Sequence, residues 1–154
     1  MMPKLDLAKI TPQSGSSYPA PYAAEMGDRA WLPLGQVADL TQFGVNLMMM
    51  QPGSKSSLRH WHSHEDEFLM MVSGELILVD DAGEHVLKPG DCAAFKAGDT
   101  NAHQVVNRSG SEARFLVAGT SLVEDVCTYP DVDMSVRLVN GKNLFTRGNG
   151  TEVM

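Results

Sequence analysis

The stretch His60-Trp61-His62-Ser63-His64-Glu65-Asp66-Glu67, running on through Phe68-Leu69-Met70-Met71-Val72-Ser73 to Gly74, decides how this chain is read. Side chains alternate across an extended strand, so the imidazoles at 60, 62 and 64 share one face. Glu67 lies five residues beyond His62, at the start of an apolar run, and a further imidazole, His103, follows the glycine at 98. Two imidazoles two residues apart, a carboxylate past a turn and a distant imidazole make a mixed nitrogen and oxygen donor set. Imidazole suits first-row transition metals, and the carboxylate admits iron or manganese as well as zinc or nickel. Four protein ligands on an octahedral ion leave two positions for substrate, water or dioxygen. Spacing by itself leaves a second reading open, since three histidines at alternate positions also describe a solvated strand edge.

The pattern around this stretch is β. Phe43, Val45, Leu47 and Met49 alternate with Gly44, Asn46, Met48 and Met50, at period two, until Gln51-Pro52-Gly53 stops the run. Strands are expected at 58–64, 67–72, 75–79, 84–88, 91–95, 103–107 and 113–118. Glycines at 74, 83, 90, 98, 110 and 119 punctuate them every 7 to 12 residues. Short strands at that rhythm, with no amphipathic helix between them, predict an all-β antiparallel sandwich or barrel over 43–120. Residues 1–42 carry Pro3, Pro12, Pro19, Pro21 and Pro33 and the loop-forming Ser14-Gly15-Ser16-Ser17. They predict an extended N-terminal arm that adds an edge strand, with a helical turn near 35–40. Residues 121–154 predict one strand, 134–139, and a loose tail around Gly141, Gly148, Asn149 and Gly150.

The whole chain has 154 residues, one domain's worth. Twelve Lys and Arg against nineteen Asp and Glu give a net charge of −7. That balance provides no footprint for nucleic acid or anionic lipid. No apolar run approaches the ~20 residues of a membrane span. The start, Met1-Met2-Pro3-Lys4-Leu5-Asp6, is charged where a signal peptide is apolar, so a cytoplasmic protein is expected. In that compartment Cys92 and Cys127 are expected as buried thiols, and Cys127 has no adjacent base to make it a nucleophile.

Two spacings add a family resemblance. His60-x-His62, four residues, Glu67, six residues, Gly74 resembles the first cupin motif, with Gly53 one residue early. Gly90, five residues, Lys96-Ala97-Gly98, four residues, His103, three residues, Asn107 resembles the second. Lys96 stands where proline is usual, and the gap before His103 is two residues longer than the pattern. The resemblance spans about half the chain. Asn107-Arg108-Ser109 and Tyr129-Pro130-Asp131-Val132-Asp133 are similar to a bacterial subgroup of small single-domain cupins often described as sugar-phosphate isomerases.

The resemblance implies a double-stranded β-helix, or jelly roll, with a divalent transition metal held by His60, His62, Glu67 and His103. His64 is the competing ligand choice. It and Asp66 are otherwise expected at the rim or behind the ligands, with Asp66 orienting an imidazole. The implied function is a metal-dependent enzyme on a small polar substrate such as a sugar or sugar phosphate, using isomerase-type Lewis-acid chemistry. The alternatives are an iron- or manganese-dependent dioxygenase and a non-catalytic sensor that binds a small molecule. Arg59 and Trp61 have the opposite parity and are expected to point away from the cavity. The methionines at 48–50, 70 and 71 are expected as core filler, and His85 at the surface. Lys88, Lys96 and Arg114 are the cations to consider for a phosphate. A jelly roll leaves sheet edges open, so a homodimer sealed by the arm is expected.

Overall fold

Alternating apolar side chains and frequent turn glycines build short strands throughout residues 3–154, which the computed structural model describes. In chain order these are β1 (Gln13–Ser14), β2 (Arg29–Leu32), β3 (Phe43–Met50), β4 (Trp61–His62), β5 (Glu67–Ser73), β6 (Leu76–Asp80) and β7 (Gly83–Leu87). There follow β8 (Cys92–Phe95), β9 (Gln104–Val106), β10 (Ala113–Thr120), β11 (Val126–Tyr129), β12 (Met134–Val139) and β13 (Lys142–Thr146). All pairings are antiparallel. One sheet runs β1-β2-β3-β10-β5-β8, a second β7-β6-β9 and a third β13-β12-β11-β4.

The second and third sheets meet at a seam. His60, one residue before β4, and His103, one residue before β9, exchange backbone hydrogen bonds: His60 N–H donates to His103 O at 3.1 Å and His103 N–H to His60 O at 2.9 Å. The six-stranded sheet packs against β7-β6-β9 through Met48, Met50, Leu69, Met71, Leu78, Val105 and Phe115. This is the double-stranded β-helix. Inward-facing methionines at 48, 50 and 71 fill the core, as expected of flexible side chains, whereas Met70 faces outward and is exposed. A second cluster, with Met26, Leu58, Cys127, Tyr129, Met134 and Phe145, lies behind the seam under the third sheet.

The arm pairs with its own chain. β2 pairs with β3 and β1 with β2, while the helix α1 (Tyr22–Glu25) brings Met26 into the second cluster. The turn expected near 35–40 is the helix α2 (Leu34–Val37), packed on β3 through Gly35. The tail departs from expectation. β11, β12 and β13 form a meander, and Asn140-Gly141, both with positive φ (51° and 76°), is the tight turn between its last two strands. Burial of Phe145 in the second cluster holds that hairpin down. Cys92 also departs from expectation: it lies on the outer face of β8, at the sheet's edge, and is exposed, while Cys127 is buried. Among the described residues no helix is long and apolar enough to cross a membrane.

Candidate metal centre

Strand ends bring four side chains together at one mouth of the barrel. β4 is held by β11, with Cys127 opposite His62. The seam sets His60 beside His103. Glu67 opens β5 between Gly119 on β10 and Phe95 on β8. A Cβ on Gly119 would lie 2.6 Å from the Asp66 carbonyl oxygen, so only glycine lets β10 approach the start of β5 this closely.

Three Nε2 atoms converge on the Glu67 carboxylate. Oε1 lies 2.8 Å from His103 Nε2, and Oε2 lies 3.4 Å from His62 Nε2 and 3.9 Å from His60 Nε2. The outward nitrogens are pinned on two of the rings. His60 Nδ1–H donates to the Leu58 carbonyl at 2.9 Å, and His62 Nδ1–H to Asp125 Oδ2 at 2.7 Å. A carbonyl and a carboxylate accept only, so both rings carry hydrogen at Nδ1 and turn Nε2 toward Glu67. Lone pairs facing a carboxylate need a cation between them, either a proton or a metal ion. The donor set therefore fits a divalent transition ion, with outer partners of the kind that orient metal-bound imidazoles. His103 stacks flat on Phe95, rings 3.4 Å apart, and its buried Nδ1 has no partner.

The electrostatics follow from this packing. Burial acts to lower the His62 pKa, but hydrogen bonds to Glu67 and Asp125 outweigh it and raise the pKa to about 9. Glu67 is buried, which alone would raise it, yet its hydrogen bonds with the three imidazoles hold it well below the usual carboxylate range. Burial lowers His103. Burial also pushes the Cys127 thiol up to about 12, so it stays protonated although its sulfur lies near His60 and His62.

The expected site residues divide by position. His60, His62, Glu67 and His103 stand in the cluster. His64 and Asp66 are exposed outside it. The His64 ring pairs with Ser63 Oγ at 2.7 Å, and Asp66 Oδ1 accepts the Ala97 amide at 2.9 Å. The imidazole-orienting carboxylate is Asp125, which sequence reasoning missed. It lies 63 residues beyond His62 in the loop before β11, with no motif around it, and its other oxygen accepts the His64 and Glu65 amides. Arg59 faces outward, on Asp131 at 2.9 Å and Asp81 at 2.8 Å. Arg114 pairs with Glu112, Lys88 is exposed on a turn, and His85 is exposed beside Asp80. Lys96 is exposed and borders a cavity that reaches His62 and His103. A cavity of about 320 Å³, open to solvent, is lined by His60, Glu67 and His103 together with Arg29, Trp31 and Asn46.

Residues 46–119 match the family model for the cupin domain. No curated protein matches the chain. Among solved structures, a sugar phosphate isomerase of the cupin superfamily from Silicibacter pomeroyi is 50% identical. It superposes with a TM-score of 0.95 over 99% of this chain and 97% of its own. A candidate sugar phosphate isomerase from Acidithiobacillus ferrooxidans is 27% identical, with a TM-score of 0.74 over 82% of this chain and 80% of its own. A polyketide cyclase from Streptomyces resistomycificus, at 21% identity and a TM-score of 0.64 over 78% and 80% of the two chains, shares the fold alone.

Proposed function

This chain belongs to the cupin superfamily, and from that premise we propose that it is a metal-dependent enzyme that isomerises a small hydroxy-carbonyl compound, a sugar or sugar phosphate. One observation carries this reading: two imidazoles with Nδ1 pinned outward turn Nε2 toward Glu67, where a proton or a metal ion must lie between them, and His60 and Glu67 line a cavity beside them. A purely structural barrel needs no carboxylate held among three imidazoles. The sugar phosphate isomerase from Silicibacter pomeroyi, similar over nearly its whole length, supports the substrate class.

His60, His62, Glu67 and His103 are the ligands in this reading. An iron, manganese, zinc or nickel ion bound there supplies Lewis acidity to a carbonyl or hydroxyl oxygen of the substrate. The chain's own residues hold the geometry. Leu58 O and Asp125 fix the rotation and tautomer of the His60 and His62 rings, and Phe95 packs flat on the third. Trp31, Met48, Leu69 and Phe115 give the cavity an apolar wall.

The test is metal quantification of purified protein, followed by turnover of aldose and ketose phosphates with and without oxygen. About one ion per chain and anaerobic interconversion are expected. Oxygen uptake coupled to substrate loss would move the assignment to a dioxygenase. Bound metal with no turnover across sugars and their phosphates would leave a sensor.

A further inference from the structure

We propose that Arg29 is an oxyanion-binding subsite inside the barrel, holding the phosphate or carboxylate end of a small hydroxylated substrate whose other end lies against His60 and Glu67. The inference deepens the reading of the same cavity as a small-substrate site and rests on it.

Strand parity places this side chain inside. β2 pairs with β3 so that Arg29 is opposite Met50 and Trp31 opposite Met48. Both methionines face the core, and Trp31 packs against it. A cation on that face is unusual, and this one has no carboxylate within ion-pair distance among the described residues. Arg59, Arg108 and Arg114 each sit on an acid. Arg29 has only neutral acceptors. One terminal nitrogen donates to the Ser56 carbonyl, the other to the Gly15 carbonyl at 3.4 Å, and the buried Nε–H has no partner. The guanidinium is half-buried and lies 5.8 Å from the Trp31 ring centre; holding a cation even partly out of water without a counter-ion is costly, and the cost falls when an anion arrives. Burial lowers its pKa against a smaller opposing pull from Tyr18, and no carboxylate contributes.

The surroundings suit such a ligand. Arg29 lines the same cavity as His60 and Glu67, with the Ser57 hydroxyl and Asn46 amide also on its wall. A planar guanidinium fork matches the paired oxygens of a phosphate or carboxylate. The cavity, about 320 Å³, admits one small molecule. A substrate anchored at one end by Arg29 would present its hydroxyl or carbonyl oxygens to the imidazole cluster. The competing explanation is a strut that ties the arm at Gly15 to the turn at Ser56.

The experiment compares wild type, Arg29→Gln and Arg29→Lys, each purified as the full chain with its metal content measured. Inorganic phosphate and glycolate are titrated separately, read by calorimetry and by shift of melting temperature. We expect saturable binding of at least one anion and at least tenfold weaker binding in Arg29→Gln. Arg29→Lys should fall between the two, because it keeps the charge and loses the fork. Metal content should match wild type in both variants. The anion that binds tighter identifies the end group. If Arg29→Gln folds poorly, Arg29→Lys decides. A strut predicts a lower melting temperature with an unchanged anion response, and a subsite predicts a weaker anion response. Equal affinity in wild type and variants, or no saturable binding of either anion, overturns the proposal. Arg29-dependent anion binding in a protein that holds no metal and isomerises nothing would instead overturn the enzymatic reading alone.

Discussion

Asp125 links two jobs at the scale of single residues: it orients His62 through one oxygen and holds the His64–Glu65 backbone through the other. Asp125→Ala is expected to weaken metal binding by about 10–100-fold, the usual effect of removing such an outer partner. Asp125→Asn should recover part of the loss, since its amide oxygen still accepts from His62 Nδ1–H. A competition titration with a chelator measures both. The raised His62 pKa yields a second prediction. A pKa lifted from 6.5 to about 9 gives the metal-free protein a stabilising contribution that is complete below 6.5 and lost as pH rises through 9. The lowered Glu67 and Asp125 contribute in the opposite sense, present above their ordinary carboxylate values and lost as pH falls. A bound metal replaces the His62 proton, so metal affinity rises between pH 7 and 9 while the stability of stripped protein falls. Melting curves of loaded and chelator-stripped protein should therefore diverge as pH rises. Parallel curves would remove His62 from the ligand set. Dialysis near pH 5 with chelator should empty the site, as protons displace the ion from its imidazoles.

At the scale of elements, the seam between β4 and β9 makes the ligand assignment testable. The bonds joining His60 to His103 are backbone bonds, so removing either imidazole leaves the seam paired. His60→Ala and His103→Ala should each lose most bound metal in a barrel that still folds, and His64→Ala should keep it. Metal lost from His64→Ala but kept by His60→Ala would shift the register by two residues. Gly119 offers a test of strand spacing. Gly119→Ala presses on the Asp66 carbonyl, next to Glu67, and should cost about 1–3 kcal/mol and loosen the metal. Its cross-strand neighbour Gly44 faces open space, so Gly44→Ala should change stability by less than about 0.5 kcal/mol. These elements also show what a sequence makes legible. Period-two alternation at 43–50 and the glycine rhythm announce the barrel, because each strand buries one face and each turn is local. The histidine and glutamate spacings alone also fit a solvated strand edge, and it is their likeness to the two cupin motifs that points to the cluster. Asp125 and Arg29 stayed hidden because their partners are brought to them by tertiary pairing alone. Cys92 was misplaced because strand parity says which residues share a face and not which face meets the core. The Asn140-Gly141 turn carried a hairpin signal, but Phe145 is the single buried residue of the strand beyond it, too few to mark an amphipathic run.

At the scale of the whole molecule, the six-stranded sheet has one edge capped and one face bare. The arm expected to seal a partner's sheet instead pairs with its own β3, which leaves β8 as the open edge. Beside that edge the outer face of the sheet exposes Phe68, Met70 and Val72, each more than 40% accessible. Ala94 lies opposite Phe68, and Cys92 opposite Met70. Three large apolar side chains at alternate positions of one strand, beside Ala94 and Cys92 on β8 and Leu116 and Ala118 on β10, make a contiguous patch of the kind that marks an interaction surface. A second copy presents the same patch, so a two-fold contact is self-complementary and closes without open-ended growth. The expected assembly is a homodimer through this face, with a mass by light scattering near twice 16.7 kDa at micromolar concentration. Met70→Glu places like charges across the two-fold contact and should return the protein to monomers. Because Met70 faces away from Leu69 and Met71, which line the core, the variant should keep its fold and its metal. A monomeric wild type, or a Met70→Glu variant that remains dimeric, would assign the patch no part in assembly.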